Sequence, residues 1–265
     1  MIHPTAVIEE GAQLGQDIKI GPYCVVGSDV RMGDGCELMS HVVVTGRTSM
    51  GAGNRVFPFS SIGQIPQDLK FHGEPSEVII GDHNQIRENV TINAGTEGGG
   101  MVTRIGNHNL LMAYVHVAHD CLLGHRNVLA NCATLAGHVE VDDDAIIGGL
   151  SAIQQFVRIG RLAMIGGMSG VTKDVAPFTL LAGGYRAGLS GLNIVGLKRH
   201  GFKLAQVTRL KEIYRLLLQD GGKREERLRQ AEFLLENEDD AAGRYMIEFI
   251  RAAKSGLMTH GRDSE

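Results

Sequence analysis

From residue 105 the chain can be written in sixes: IGNHNL LMAYVH VAHDCL LGHRNV LANCAT LAGHVE VDDDAI IGGLSA IQQFVR IGRLAM IGGMSG, closing on Val171. Each six opens on an aliphatic residue: Ile105, Leu111, Val117, Leu123, Leu129, Leu135, Val141, Ile147, Ile153, Ile159, Ile165 and finally Val171. With 43% of the chain apolar, twelve consecutive hits in one phase arise by chance about 4 times in 100,000. The same spacing runs upstream through Ile8, Leu14, Ile20, Val26, Met32, Leu38, Val44, Met50, Val56 and Ile62, and resumes at Ile80, Ile86 and Ile92. Glycine often follows the aliphatic residue, as at Gly15, Gly33, Gly81, Gly106, Gly124 and Gly148. Two places before it, small or apolar residues are common, among them Ala6, Cys24, Val30, Cys36, Ala133 and Ala145.

A period of six matches neither the 3.6 of a helix nor the alternation of a long strand. It matches a two-residue strand plus a turn, three of which make one coil of a triangular prism with the aliphatic side chain inside. The glycine relieves crowding at the corner or supplies a positive φ there. The expected fold is therefore mainly β, a parallel β-helix of hexapeptide repeats, left-handed by likeness to the known hexapeptide fold. Over residues 64–78 the spacing falls on Asp68 and Glu74, which do not belong in an apolar core. That stretch and 94–103 are predicted to leave the prism as loops. Gly98-Gly99-Gly100 lacks the Lys-Ser/Thr of a phosphate-binding loop and reads as a flexible connection.

The sixes stop near Val171. Asp174 to Asn193 reads as a connector, and from about Leu197 the pattern turns helical. Leu204, Val207, Leu210, Tyr214 and Leu217 form one face, which Gly221-Gly222 ends. Lys223 to Asn237 and Ala241 to Lys254 read as two more helices, and the tail from Ser255 as frayed. This divides the chain into a β-helix over 1–188 and a C-terminal α-helical domain over 189–265.

Bulk properties narrow the function. The 265 residues carry a net charge of −4, which gives nucleic-acid binding no support. Cys24, Cys36, Cys121 and Cys132 form no CxxC pair, so neither a disulfide scaffold nor a zinc knuckle is expected. Met1-Ile2-His3-Pro4 leads straight into patterned sequence, and no apolar run nears the roughly 18 residues of a membrane span. A cytoplasmic location with no membrane span is the expectation.

With 18 residues per coil, residue n lies beneath residue n+18. His119 then lies under Gly137 with Gln155 above, and Asp120 under His138 with Phe156 above. These histidines fall outside the inward positions and should face outward on one wall. Most of the 11 histidines must be ordinary surface residues, and stacking alone leaves catalysis and surface decoration about equally open. A metal reading is also available, because His116, His119 and His138 could offer three nitrogens to zinc, as in the γ-class carbonic anhydrases. A β-helix serving only as a scaffold is a third possibility.

An ordered set of motifs goes further. Pro66-Gln67-Asp68-Leu69-Lys70, Val117-Ala118-His119-Asp120-Cys121, Thr134-Leu135-Ala136-Gly137-His138-Val139, Gln155-Phe156, Leu192-Asn193-Ile194 and Gly196-Leu197-Lys198-Arg199 together resemble the UDP-N-acetylglucosamine O-acyltransferases, which begin lipid A synthesis. The resemblance covers nearly the whole chain. It implies transfer of an (R)-3-hydroxyacyl group from acyl carrier protein to the 3-position of the sugar nucleotide. His119 would be the general base, its ordinary pKa lying near neutrality. Asp120 would orient it, and the Gly137 amide would stabilise the oxyanion. His116, His138 and Gln155 would contact the sugar nucleotide or acyl chain. Asp68 would accept a bond from the acyl 3-hydroxyl beside Lys70, and Asn193 and Arg199 would hold the nucleotide. Lys198, Arg199, His200, Lys203, Arg209 and Lys211 would form a basic patch for the acidic carrier protein. No metal or other cofactor is implied, and a homotrimer with sites between subunits is expected.

The chain departs from the family pattern at Asn93 and Gln154, where histidines are common, at Val195 in place of an acidic residue, and at His200 in place of a second arginine. These changes lie around the sugar and leave open a 3-hydroxyl or a 3-amino acceptor. Gly166 and Gly167 would leave room for the acyl chain and Met164 and Met168 would close it, which suggests a medium-to-long chain. The N-acyltransferases of the same pathway carry a globular domain before their hexads, whereas here the sixes start by Ile8.

Overall fold

The computed structural model describes residues 1–184, 187–236, 238–254 and 256–260. The sixes become short strands, most of two residues, that stack into three walls of nine, eight and ten strands among the described residues, parallel throughout except for the last strand of the third. Wall 1 holds Thr91–Asn93, His116–Val117, Thr134–Leu135 and Ala152–Ile153; wall 2 holds Val102–Ile105, Leu122–Leu123 and Glu140–Val141; wall 3 holds Leu110–Leu111, Val128–Leu129 and Ile146–Ile147. In the regular coils each residue pairs with the one 18 further on, as Val117 with Leu135 and Leu135 with Ile153.

The inward aliphatic residues form one continuous core. Ile20, Leu38, Ile62, Ile92, Val117, Leu135, Ile153 and their counterparts are buried, and only Ile8 and Leu14 at the open first coil are partly exposed. Burying each such side chain contributes about 1.5–3 kcal/mol. A polar ladder runs beside this core. Asn54, Asn84, Asn109 and Asn127 stack on successive coils, and the Oδ1 of each accepts the backbone N–H of the residue above at 2.8–2.9 Å. The thiols of Cys24, Cys36 and Cys121 donate to carbonyls of the next coil, and burial pushes the Cys121 thiol up to about 12. These are packing thiols, kept protonated.

The glycine expectation resolves in favour of crowding except at Gly63, which follows Ile62 at the first break and has a φ of 83°. A Cβ on Gly33 would lie 2.7 Å from the Gly51 carbonyl carbon, and one on Gly148 would lie 2.4 Å from the Gly167 amide nitrogen. Those glycines permit coil-to-coil approach and do not have positive φ. The positive φ falls three residues after the aliphatic position, on residues such as Tyr114 (63°), Asp120 (60°) and His138 (61°). Asp, Asn and His tolerate this region better than most side chains.

Both insertions leave the same corner, between walls 1 and 2. The first runs from Ser61–Gln64 to Glu77–Ile80, and the second from Thr91–Asn93 to Val102–Ile105. They stretch the pairing offset from 18 to 30 residues and then to 25.

The last strand, Gly188–Leu192, runs antiparallel to Thr179–Ala182 and closes wall 3. Helices α1 (Ile194–Arg199), α2 (Leu204–Tyr214), α3 (Arg224–Phe233) and α4 (Ala241–Ala252) follow, with a π-helical turn at Arg215–Gln219 after α2. Helical structure thus begins slightly before Leu197 and breaks at Gly201, whose φ of 79° closes α1. The expected end of the next helix at Asn237 lies outside the described residues, as does Ser255. Residues 256–260 are not frayed: the Met258 N–H donates to the Asp174 carbonyl at 2.8 Å, and the Leu189 N–H to Thr259 at 2.9 Å. Among the described residues no helix is long and apolar enough to cross a membrane.

Candidate active site

The corner between walls 1 and 2 turns at 118–121, 136–139 and 154–157 in successive coils. It gathers His119, Asp120, Gly137, His138, Gln155 and Phe156, as the 18-residue stacking predicts. His119 Nδ1 lies 2.8 Å from Asp120 Oδ2. The Asp120 side chain is 0% exposed and that of His119 14%. A buried carboxylate can only accept, so Nδ1 carries the proton and Nε2 keeps its lone pair for chemistry.

Gly137 sits against this ring. A Cβ there would come within 2.4 Å of His119 Cε1 and 2.6 Å of Nε2. Among the described residues the Gly137 N–H has no acceptor, whereas its carbonyl takes the Phe156 N–H at 3.2 Å. His138 stands edge-on to His119 with ring centroids 5.1 Å apart and stacks on Phe156 at 4.4 Å. Burial, with the neighbouring charge of His119, lowers the His138 pKa against the opposing pull of Asp120 and Asp68. Burial likewise lowers that of His116, with His119 adding to it. In both, burial thus favours the neutral ring over the charged one.

The second insertion is the piece that sequence reading missed. Read as a flexible connection, it instead forms a 3₁₀ turn, Glu97–Gly99, over Asp120. The Thr96 N–H donates to Asp120 Oδ1 at 2.9 Å and the Thr96 hydroxyl to Oδ2 at 2.6 Å. Thr103 Oγ1 accepts the Asp120 N–H at 2.8 Å. A Cβ on Gly99 would lie 2.0 Å from the Asp120 carboxyl carbon. The signal was present: both breaks in the sixes follow wall-1 positions, Ile62 and Ile92, and so open at the corner that His119 occupies.

Asp68 and Lys70 lie on the first insertion at this corner, where Asp68 Oδ1 accepts the Lys70 N–H at 3.0 Å. His116 faces outward on wall 1, its Nδ1 2.7 Å from Thr91 Oγ1. The groups close enough to share a metal ion are His119, Asp120 and His138, within 4.8 Å of one another, and not the His116-containing trio. The Asp120 oxygens of that set are already occupied by Thr96 and the His119 ring. A cavity of about 580 Å³ opens beside the corner, lined by Gly99, Asp120, His138, Phe156, Arg158 and Lys254.

Asn193 and Arg199 are not brought to this corner. Asn193 caps α1, its Oδ1 accepting the Gly196 N–H at 2.9 Å while its Nδ2 donates to the Leu162 carbonyl at 3.0 Å. Leu162 turns the corner between walls 2 and 3. Arg199 is exposed on the last turn of α1. His200, beside it, reaches to 3.5 Å from Asp144, a carboxylate that also binds Arg126 and Arg161. Asn93 is buried near the first insertion, with Nδ2 donating to the Ile65 carbonyl at 2.8 Å, while Gln154 is exposed. Gly166 is explained by coil stacking, since its Cβ would meet the Gly183 nitrogen at 2.6 Å.

Comparison with known proteins gives the family. Residues 174–258 match the family described as UDP N-acetylglucosamine O-acyltransferase, domain 2, and residues 11–46 and 103–137 match bacterial transferase hexapeptide repeats. The UDP-N-acetylglucosamine O-acyltransferase of Moraxella catarrhalis is 43% identical, with 97% of this chain and 99% of that one aligned and a TM-score of 0.93. The Campylobacter jejuni UDP-N-acetylglucosamine acyltransferase is 42% identical over 98% and 100%, with a TM-score of 0.91. The Arabidopsis enzyme is 34% identical over 98% and 100%, with a TM-score of 0.84. The prism is thus the left-handed parallel β-helix of these enzymes, and the chain belongs to the UDP-N-acetylglucosamine O-acyltransferase family.

Proposed function

We propose that this acyltransferase moves an (R)-3-hydroxyacyl group from acyl carrier protein to the 3-position of UDP-N-acetylglucosamine, or of its 3-amino analogue, in the cytoplasm. The carrying observation is the His119 ring, tied through Nδ1 to buried Asp120 and set with Nε2 beside the Gly137 backbone. His119 Nε2 takes the proton from the sugar 3-substituent as its oxygen or nitrogen attacks the thioester carbonyl. The carbonyl oxygen becomes an oxyanion, which the Gly137 N–H stabilises. Collapse of the intermediate breaks the carbon–sulfur bond, and the leaving thiolate takes the proton from His119. No cofactor enters the balance.

Neutral His138 and His116, with Gln155, line the approach for the sugar or acyl chain. Asp68 accepts a bond from the acyl 3-hydroxyl with Lys70 close by. Asn193 and Arg199 serve the nucleotide from a neighbouring copy, since within one chain they occupy a different corner; this is what a homotrimer with sites between subunits supplies. Arg199, Lys198 and Lys203, all exposed, form the docking patch for the acidic carrier protein.

The test offers the protein a panel of 3-hydroxyacyl carrier proteins with UDP-N-acetylglucosamine or its 3-amino analogue and weighs the products. One acyl mass added to one sugar nucleotide is the expected result. No transfer to either acceptor would overturn the proposal.

A further inference from the structure

The catalytic corner has a third member that no reading of the repeat supplies. The Asp120 carboxylate receives three donors: the Thr96 N–H, the Thr96 hydroxyl and the His119 Nδ1–H. Two of the three come from one residue of the second insertion. That residue is itself held, because its carbonyl accepts the Met101 N–H at 2.8 Å and the Gly99 N–H at 3.1 Å. The insertion is anchored in turn, with the Ala94 N–H donating to the Gln64 carbonyl at 2.9 Å and the Glu97 N–H to Glu74 Oε1 at 3.2 Å. Glu74 belongs to the first insertion, which also carries Asp68 and Lys70. A continuous chain of bonds therefore runs from that insertion through Thr96 to Asp120 and the His119 ring.

Geometry makes the clamp necessary. Asp120 has a left-handed φ of 60°, and its carboxylate has no water-exposed face. A buried carboxylate with one partner would be costly and free to rotate away from His119. Thr96 fixes both oxygens, and Gly99 lets the turn close to van der Waals distance over them.

We propose that Thr96 is a positioning residue for acyl transfer, acting through Asp120 to hold the His119 ring in the tautomer and direction that catalysis requires. This rests on His119 being the base. Loss of the Thr96 hydroxyl should lower kcat roughly ten- to hundredfold, through misplacement of the His119 ring. The sugar nucleotide KM should change little, since Thr96 is buried and reaches the site only through its bonds to Asp120. Without the hydroxyl, more negative charge remains on Asp120 to favour the protonated imidazole. The acidic limb of the kcat/KM profile should then move to higher pH.

The experiment measures kcat, KM and the pH profile for Thr96→Val and Thr96→Ser, alone and combined with His119→Ala. Thr96→Val should lower kcat and shift the limb, Thr96→Ser should restore both, and Thr96→Val should cost nothing further once His119 is gone. If Thr96→Val does not fold, Thr96→Ala, which keeps the backbone donor and adds no bulk, takes its place. Unchanged kcat and pH profile in Thr96→Val or Thr96→Ala, beside an inactive His119→Ala, would overturn the clamp alone. Full activity in His119→Ala would overturn the base assignment beneath it.

Discussion

Two corners of the prism use the same backbone and do different things. At the corner between walls 3 and 1, the left-handed position carries Tyr23, Phe59, Tyr114, Leu150 and Met168, all largely exposed. At the corner between walls 1 and 2, the same position carries Asp120, His138 and Phe156. Tyr114 and Asp120 are one hexad apart with φ of 63° and 60°, yet Tyr114 is 61% exposed and the Asp120 side chain 0%. The repeat therefore does not make the site alone. The stacking gathers the residues, and the second insertion sets that corner apart by covering a carboxylate that an ordinary turn would leave in water.

The largest effect expected from this contrast is at His119. His119→Ala should lower kcat by about 10²–10⁴-fold, the range of a lost general base, while Tyr23→Ala at the uncovered corner leaves the rate unchanged. Steady-state kinetics on both variants checks this, and equal losses would erase the distinction between corners. Next comes a pair of glycines. Gly137→Ala pushes a methyl into the His119 ring, so kcat should fall about a hundredfold through misplacement of the base. Gly33→Ala pushes a methyl into the backbone of the next coil, so it should cost about 1–3 kcal/mol of stability, leaving the rate per folded molecule intact. Denaturant midpoints and kcat, measured together, separate the two.

The smallest effect is in pH dependence. The pKa of His116 is lowered by burial and then by His119, so below about pH 6.5 the unfolded chain binds the proton more readily than the folded one. Stability from this group is present above that pH and is lost as pH falls through it. Melting temperature should drop between about pH 7 and about pH 5 more in the native protein than in His116→Gln. Asp142 and Asp174, whose pKa values burial raises, act with the opposite sign but equally in both proteins, and so cancel from the difference.

The core positions were legible because a period of six marks each inward side chain whatever its neighbours. The stacking of His119 under Gly137 followed from the same period. The asparagine ladder was missed because the place two before the aliphatic residue was read across all three walls, whereas Asn54, Asn84, Asn109 and Asn127 share a single corner. The Thr96 clamp carries no periodic mark: its meaning depends on where a loop lands. The break at Gly201 was hidden by apolar residues that continue on both sides of it. The distance of Asn193 and Arg199 from His119 could not be read from motifs, which order residues along the chain and not around the prism.

In the proposed reaction an unprotonated His119, held by the buried Asp120, takes the proton during acyl transfer. The most direct test follows kcat/KM against pH in the native enzyme and, for its residual activity, in His119→Ala. An acidic limb is expected in the native enzyme, where one protonation abolishes transfer, and it should disappear from the variant. The same limb in both proteins would contradict that role for His119.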